Sequence, residues 1–260
     1  MVTLRAIFRA LAIGCFLSSL FLCALGLGLL EKLKPQSNPG AKAYARAQSA
    51  RWHLAMIVKI AGLRIVTQGP KPGPQERFLL LSNHVSYWDI IAIGSLFPLG
   101  FLAKEEVRRW VGLGSLAVLV NTIFVKRESV VSRVRALAEL RARTRHLSYC
   151  VFPEGTTTAA FAPTLLHWFR GQISLARRPG LNIYVVGIHY RAHESLAWIG
   201  EESFLPHLME TLRRPQTDVY LNFSRFQDPG TGAEGLKSLV SASYQQMVQV
   251  CHSASQLARS

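Results

Sequence analysis

Acidic residues are scarce in this 260-residue chain, 15 Asp and Glu against 30 Lys and Arg for a formal charge of +15. Such a surface disfavours cationic partners and selects anionic ones: nucleic acid, anionic lipid or phosphorylated substrates. Cysteine is scarce too. Cys15, Cys23, Cys150 and Cys251 form no C-x-x-C, and two of them lie in one apolar run, which argues against a zinc site or a disulfide framework and for a reduced compartment; no metal is expected. There is no G-x-S-x-G, hence no serine-hydrolase elbow, and no Walker A segment. Gly230 to Gly235 matches G-x-G-x-x-G, but Pro229 precedes it and no Asp or Glu follows Glu234 to hold a ribose, so it reads as a loop before the last helix. The basic residues are dispersed without a stacking-aromatic motif, so no nucleic-acid partner is expected. Internal repeats and low-complexity tracts are lacking as well.

What the chain does have is a long apolar start. Ala10 to Leu30 is 21 residues without a charge, which at about 1.5 Å per residue matches a bilayer core of roughly 30 Å. A cleaved signal has a shorter apolar region of about 7 to 15 residues. Ala24-Leu25-Gly26 is a poor cleavage site, and Glu31, Lys32 and Lys34 follow at once. A retained anchor is therefore expected. Arg5 and Arg9 flank one end and Lys32, Lys34, Lys42, Arg46 and Arg51 the other, so charge does not orient it, and a helix bent back within one leaflet would place both ends in the cytoplasm. The expected location is the inner membrane with the following domain on its cytoplasmic side.

Pro35 to Gly40 reads as a loop. Trp52 to Val66, apolar but interrupted by His53, Lys59 and Arg64, reads as a helix in the headgroup plane with its cations snorkelling outward, or as an amphipathic packing helix. Gly69 to Pro74 marks a boundary. The expected division is residues 1–68 as membrane anchor and interfacial helix and 69–260 as one α/β domain.

That domain alternates short β-rich runs with helical stretches. Strands are predicted at Phe78–Ser82, Gly100–Ala103, Thr122–Lys126, Ser148–Phe152, Ile183–Tyr190 and Val219–Phe226. Helices are predicted at Tyr87–Leu96, Val130–Arg145, Gln172–Arg178, Ser203–Arg213 and Gly235–His252. The fold class is α/β, a mostly parallel or mixed central sheet flanked by helices behind N-terminal membrane-binding helices.

Chemistry-bearing residues fall at the ends of these strands, where open α/β sheets gather ligands. Asn83-His84-Val85-Ser86-Tyr87-Trp88-Asp89 follows the first. There His84 and Asp89 can form a base and its orienter, the acid holding one ring nitrogen and leaving the other to accept a proton; Asp89 as a plain helix cap is the alternative. Phe152-Pro153-Glu154-Gly155-Thr156-Thr157 is a tight turn in which Gly155 and the hydroxyls of Thr156 to Thr158 can offer donors to a phosphate. Glu154 would orient a hydroxyl or a neighbouring cation. Lys104 and Lys126-Arg127 end two further strands, as a shared anion site or as solvated surface charge.

At these residues the chain resembles the glycerolipid acyltransferase family, typified by 1-acyl-glycerol-3-phosphate acyltransferases. NHVSYWD looks like its NHxSxxD motif, IFVKR resembles its second block ending in Arg, and FPEGT matches its third. Order and spacing agree from about Leu79 to Tyr190, more weakly through Trp198 to Leu208. The resemblance implies that His84 and Asp89 are catalytic and that Arg127, Glu154 and Gly155 shape the acceptor's phosphate site, with Lys104 a further contact, beside the Thr156 hydroxyl already read as a phosphate donor. It implies transfer of a fatty acyl group from acyl-CoA or acyl carrier protein to a lysophospholipid hydroxyl, above all 1-acyl-glycerol-3-phosphate, without a cofactor. Membrane lipids and the acyl donor are then the partners. Many relatives carry Arg where this chain has Thr157 and Pro where it has Gly187; Arg170 can compensate for the first. The lost cation leaves a lyso-aminolipid such as lyso-ornithine lipid, or another lysophospholipid, as alternative acceptors. From another class, a non-catalytic membrane-binding module would be indifferent to His84→Ala.

Overall fold

The apolar start of the chain folds as helix α1, Val2–Leu33, in a computed structural model that describes residues 2–33, 38–110, 113–159, 174–177, 180–191, 196–199, 203–226 and 235–259. Buried Ala6, Ile13, Leu20 and Ala24 recur at sevens and a four, a single stripe down the helix. Leu4, Phe8, Leu11, Leu22, Leu29 and Leu33 are exposed, an apolar surface that water disfavours and lipid accepts. Among the described residues, Thr3–Leu33 is the one helix long and apolar enough to cross a membrane.

Helix α2, Pro39–Ala61, packs along α1. Asn38 caps it by accepting from the Gly40 N–H at 2.8 Å, with Pro39 in the first turn, where a missing donor costs nothing. The loop expected over Pro35 to Gly40 is thus helical from Pro39, and residues 34–37 lie outside the described set. The helix expected over Trp52 to Val66 is corrected at both ends. It starts at Pro39, and it stops because Gly62 takes the left-handed conformation, φ 75°, turning its N–H back on Lys59 and Val58, a helix terminator suited to glycine. Strand β1, Leu63–Gln68, follows, where branched Ile65, Val66 and Thr67 favour extended backbone. Arg46 grips both carboxylate oxygens of Glu31, at 2.9 and 2.7 Å, joining the two helices.

The other strands are β2 (Phe78–Ser82), β3 (Leu99–Lys104), β4 (Ile123–Val125), β5 (Ser148–Val151), β6 (Asn182–Tyr190) and β7 (Thr217–Arg225). The further helices are α3 (Trp88–Leu96), α4 (Leu113–Leu119), α5 (Val130–Arg143), α6 (Phe204–Arg213) and α7 (Gly235–Arg259). The fold is mixed α/β, a seven-stranded sheet of order β1-β7-β6-β2-β5-β3-β4 with flanking helices. The predicted strands match to within two residues at each end. Strand β1 and helix α4 were not expected; α4, of sequence LGSLAVL, is two turns long and too short to show a period. Of the predicted Gln172–Arg178 helix, Ser174–Arg177 is one 3-10 turn and the rest lies outside the described residues, as do Arg170 and residues 230–234 of the glycine-rich match.

The chain forms two compact units. In the first (Met1–Arg64, Ile90–Ser148, Ser203–Thr217), β3 and β4 run parallel with Lys104 opposite Val125, and Leu20, Ala50 and Leu116 bring α1, α2 and α4 together. Arg9 of α1 donates to the Leu212, Arg214 and Pro215 carbonyls, satisfying acceptors that the end of α6 leaves open.

In the second (Ile65–Asp89, Tyr149–Glu202, Asp218–Ser260), β2 is buried along its whole length between parallel β5 and β6, and β7 closes antiparallel on β6. Parallel neighbours covered on both faces explain why Phe78-Leu79-Leu80-Leu81 is an unbroken apolar run. Helix α7 packs on β6. A methyl group on Gly187 would stand 2.5 Å from the Val250 carbonyl, so the glycine that departs from the family pattern is what admits the helix backbone.

Candidate active site

The contacts that fasten His84 and Asp89 lie within the second unit. Strand β2 pairs with β6 as far as Ser82 opposite Val186. One step further, the Asn83 side chain takes over as a strand would. Its Nδ2 donates to the Ile188 carbonyl at 3.1 Å and its Oδ1 accepts from the Ile188 N–H at 2.7 Å. Both backbone groups are thereby satisfied where the main chain turns away. The turn presents His84 and brings back Asp89 in the first turn of α3, the Asp89 N–H bonding the Ser86 carbonyl.

Asp89 is fully buried. Its Oδ2 accepts from His84 Nδ1 at 2.8 Å, from the Val85 N–H at 2.7 Å and from the Ser86 N–H at 2.9 Å, and its Oδ1 accepts from the Tyr190 hydroxyl at 2.6 Å. Such a set of donors stabilises an ionised carboxylate without solvent. Asp89 is therefore both a fastener of its own turn and the partner of His84. A carboxylate only accepts, so Nδ1 carries the ring hydrogen and Nε2 keeps its lone pair. The imidazole stacks on Phe152, centroids 4.0 Å apart, and its side chain is 15% exposed.

The FPEGT turn holds the same residue from behind. Glu154 Oε1 accepts the His84 N–H at 2.9 Å, and the Thr158 N–H donates to the His84 carbonyl at 2.8 Å. Gly155, at φ 73°, returns its own N–H to the Phe152 carbonyl, so that donor closes the turn. The Trp198 N–H donates to the Val85 carbonyl, and the Thr157 hydroxyl to the Trp198 carbonyl. Thr156 is exposed.

Burial raises the Glu154 carboxyl to about 7, with the His84 N–H opposing and Asp89 adding to the rise. The sign follows: between about pH 4.5 and 7 the folded protein holds a proton that the unfolded chain has released, so stability falls with rising pH, by on the order of 3 kcal/mol in all. Glu154→Gln keeps an acceptor for the His84 N–H and removes the titration. Its activity is expected to stay within a few-fold of wild type, and its advantage in thermal denaturation to grow from pH 5 to pH 8. An advantage that does not change with pH contradicts this role for Glu154.

Lys104 and Arg127 belong to the first unit, at the same end of the β3–β4 pair. Lys104 Nζ lies 3.6 Å from Glu106 Oε1. The Glu106 carboxyl is held below its usual range by its own backbone N–H first and by the two cations after it, and burial lowers the Arg127 guanidinium against Glu106 and Glu128. Glu106 is thus an acidic neighbour of both strand-end cations. The sequence reading missed Tyr190 and the fastening role of Asn83; a tyrosine two places beyond the run Tyr184 to Ile188, at the end of the strand, was the available signal.

Taken together, a His–Asp pair at the end of a parallel strand and a turn that fixes it leave His84 Nε2 with a lone pair able to accept a proton. The profile of the acyltransferase family matches residues 61–190, and the chain belongs to that family; it is an acyltransferase. It is 35% identical over 209 residues to the lyso-ornithine lipid O-acyltransferase of Pseudomonas aeruginosa, covering 77% of this chain and 78% of that protein. With the 1-acyl-sn-glycerol-3-phosphate acyltransferase of Neisseria gonorrhoeae it shares 29% identity over 136 residues, 50% of this chain and 52% of that one. The crystal structure of the 1-acyl-sn-glycerophosphate (LPA) acyltransferase PlsC from Thermotoga maritima has the same fold, with a TM-score of 0.62 at 19% identity over 96% of this chain and 97% of the other.

Proposed function

We propose that the protein transfers a fatty acyl group from acyl-CoA or acyl carrier protein to the free hydroxyl of a lysolipid, with lyso-ornithine lipid as the acceptor and His84 as the base. The observation that carries the reading is the 2.8 Å bond from Nδ1 to a buried carboxylate, which leaves Nε2 poised to accept. An aliphatic hydroxyl is a poor nucleophile at neutral pH. As its oxygen attacks the thioester carbonyl, its proton passes to Nε2 and Asp89 stabilises the imidazolium. The C–S bond then breaks, and the thiolate, whose parent thiol has a pKa comparable to that of cysteine, about 8.5, takes the proton from the ring. No acyl-enzyme forms.

The acceptor assignment draws on the Pseudomonas relative, matched over three-quarters of both chains, and on Thr157. Where the family resemblance would place Arg, this chain has a hydroxyl engaged by the Trp198 carbonyl. Acylation of 1-acyl-glycerol-3-phosphate to phosphatidic acid is the second reading, favoured by the Neisseria relative. Helix α1 suits a membrane-associated enzyme whose substrates reach the site from the lipid, with the active domain on the cytoplasmic side of the inner membrane. The test offers purified protein in detergent both donors and both acceptors, beside His84→Ala. His84-dependent product on lyso-ornithine lipid supports the proposal, preference for lysophosphatidic acid selects the second reading, and no His84-dependent product with any pairing overturns both.

A further inference from the structure

Tyr190 ends β6 with no exposed surface, and its backbone is fixed on two sides. It pairs with Val219 of β7, and Ile188, two residues back on the same face of the strand, is held by both arms of Asn83. The phenol is thereby set against Asp89 with its hydroxyl 2.6 Å from Oδ1. A buried hydroxyl costs stability unless it is bonded, and here its partner is the carboxylate oxygen that His84 does not use. Burial and the Asp89 charge raise the phenol well above its ordinary range, so it remains a donor at any pH the enzyme meets.

We infer that Tyr190 is a positioning residue for acyl transfer, fixing the Asp89 carboxylate from its far side so that Oδ2 faces His84 Nδ1. The hydroxyl does two things. It stops the carboxylate from rotating, and it draws off part of the negative charge that would otherwise bind the imidazolium more tightly. The other titratable groups around the pair are Glu154 on the His84 N–H, Cys150 in β5, Cys251 in α7, and Tyr87. Both thiols are raised by burial, Cys150 further by Asp89 and Cys251 by Glu154, and they stay neutral.

The inference rests on the proposed role of His84, and the test separates the two. In full-length protein, Tyr190→Phe keeps the ring and removes one bond to a charged group; kcat is expected to fall about tenfold or more with the acceptor KM within about twofold. Combined with Asp89→Asn, the second substitution should add little, because Tyr190 acts through Asp89; a purely structural tyrosine would give additive losses. A substrate-free measurement accompanies it, the pH dependence of His84 carbethoxylation followed by peptide mass spectrometry. Its midpoint should rise in Tyr190→Phe, since a carboxylate with one donor fewer favours the imidazolium. Non-additive losses and a raised midpoint support the inference. Additive losses, or an unmoved midpoint, overturn it, whereas a wild-type enzyme inactive on every lysolipid, its midpoint still sensitive to Tyr190, would overturn the function and leave the relay standing.

Discussion

His84→Ala is expected to lower kcat by about 10²- to 10⁴-fold, the range that a positioned general base contributes, and to leave the protein folded. Removing the ring deletes one of four donors to Asp89, but the Val85 and Ser86 N–H groups and the Tyr190 hydroxyl still hold that carboxylate. The clasp of Glu154 and Thr158 acts on the main chain of residue 84 and does not need the imidazole. What disappears is the proposed proton acceptor and a stacking contact with Phe152. Circular dichroism and thermal denaturation of the variant should therefore match wild type closely while turnover collapses. A variant that loses turnover only in proportion to lost folded protein would contradict this.

Asp89→Asn is the second large effect, and the pattern of donors decides how it behaves. Three donors converge on Oδ2, two of them backbone N–H groups that cannot reverse. The group on Oδ1 is a hydroxyl, able to accept as well as donate. Asparagine therefore fits in one orientation, its carbonyl toward His84 and its amide toward Tyr190. The ring keeps its tautomer, and the loss is that of the negative charge opposite the developing imidazolium. A fall in kcat of roughly 100-fold in a folded protein is expected, at the lower end of what general-base catalysis contributes. Asp89→Ala behaves differently. It leaves two backbone donors and a phenol buried and unbonded at about 1 to 3 kcal/mol each, a large part of a typical stability of about 5–15 kcal/mol. Soluble yield and thermal midpoints should separate the pair; an alanine variant as stable as the asparagine one would show that the Asp89 network holds nothing together.

Much of this was legible in the sequence where local chemistry decides. The apolar run of β2, the turn residues around Gly155 and the spacing of His84 to Asp89 each name their own structure, and three ordered blocks pointed to the family. The residues that escaped act across long separations. Asn83 matters through Ile188 and Asp89 through Tyr190, each about a hundred positions away, and no period in a strand announces a partner on another. The end of α2 is a different kind of miss. Leu54 to Val66 is apolar throughout apart from single cations, and only Gly62, in a conformation other residues resist, breaks helix from strand. Glu154 was expected to serve a hydroxyl or a cation. Its place behind a strand end gives it a backbone N–H as well, a partner that side-chain chemistry does not reveal.

The most direct test of the account is the pH dependence of kcat/KM for acyl transfer by the wild-type enzyme, set beside the residual activity of His84→Ala. The wild-type rate is expected to fall on the acid side with uptake of a single proton, and His84→Ala to keep a much lower residual rate that lacks this acid limb. The same limb persisting in the variant, at a comparable rate, would contradict it and place the proton acceptor elsewhere.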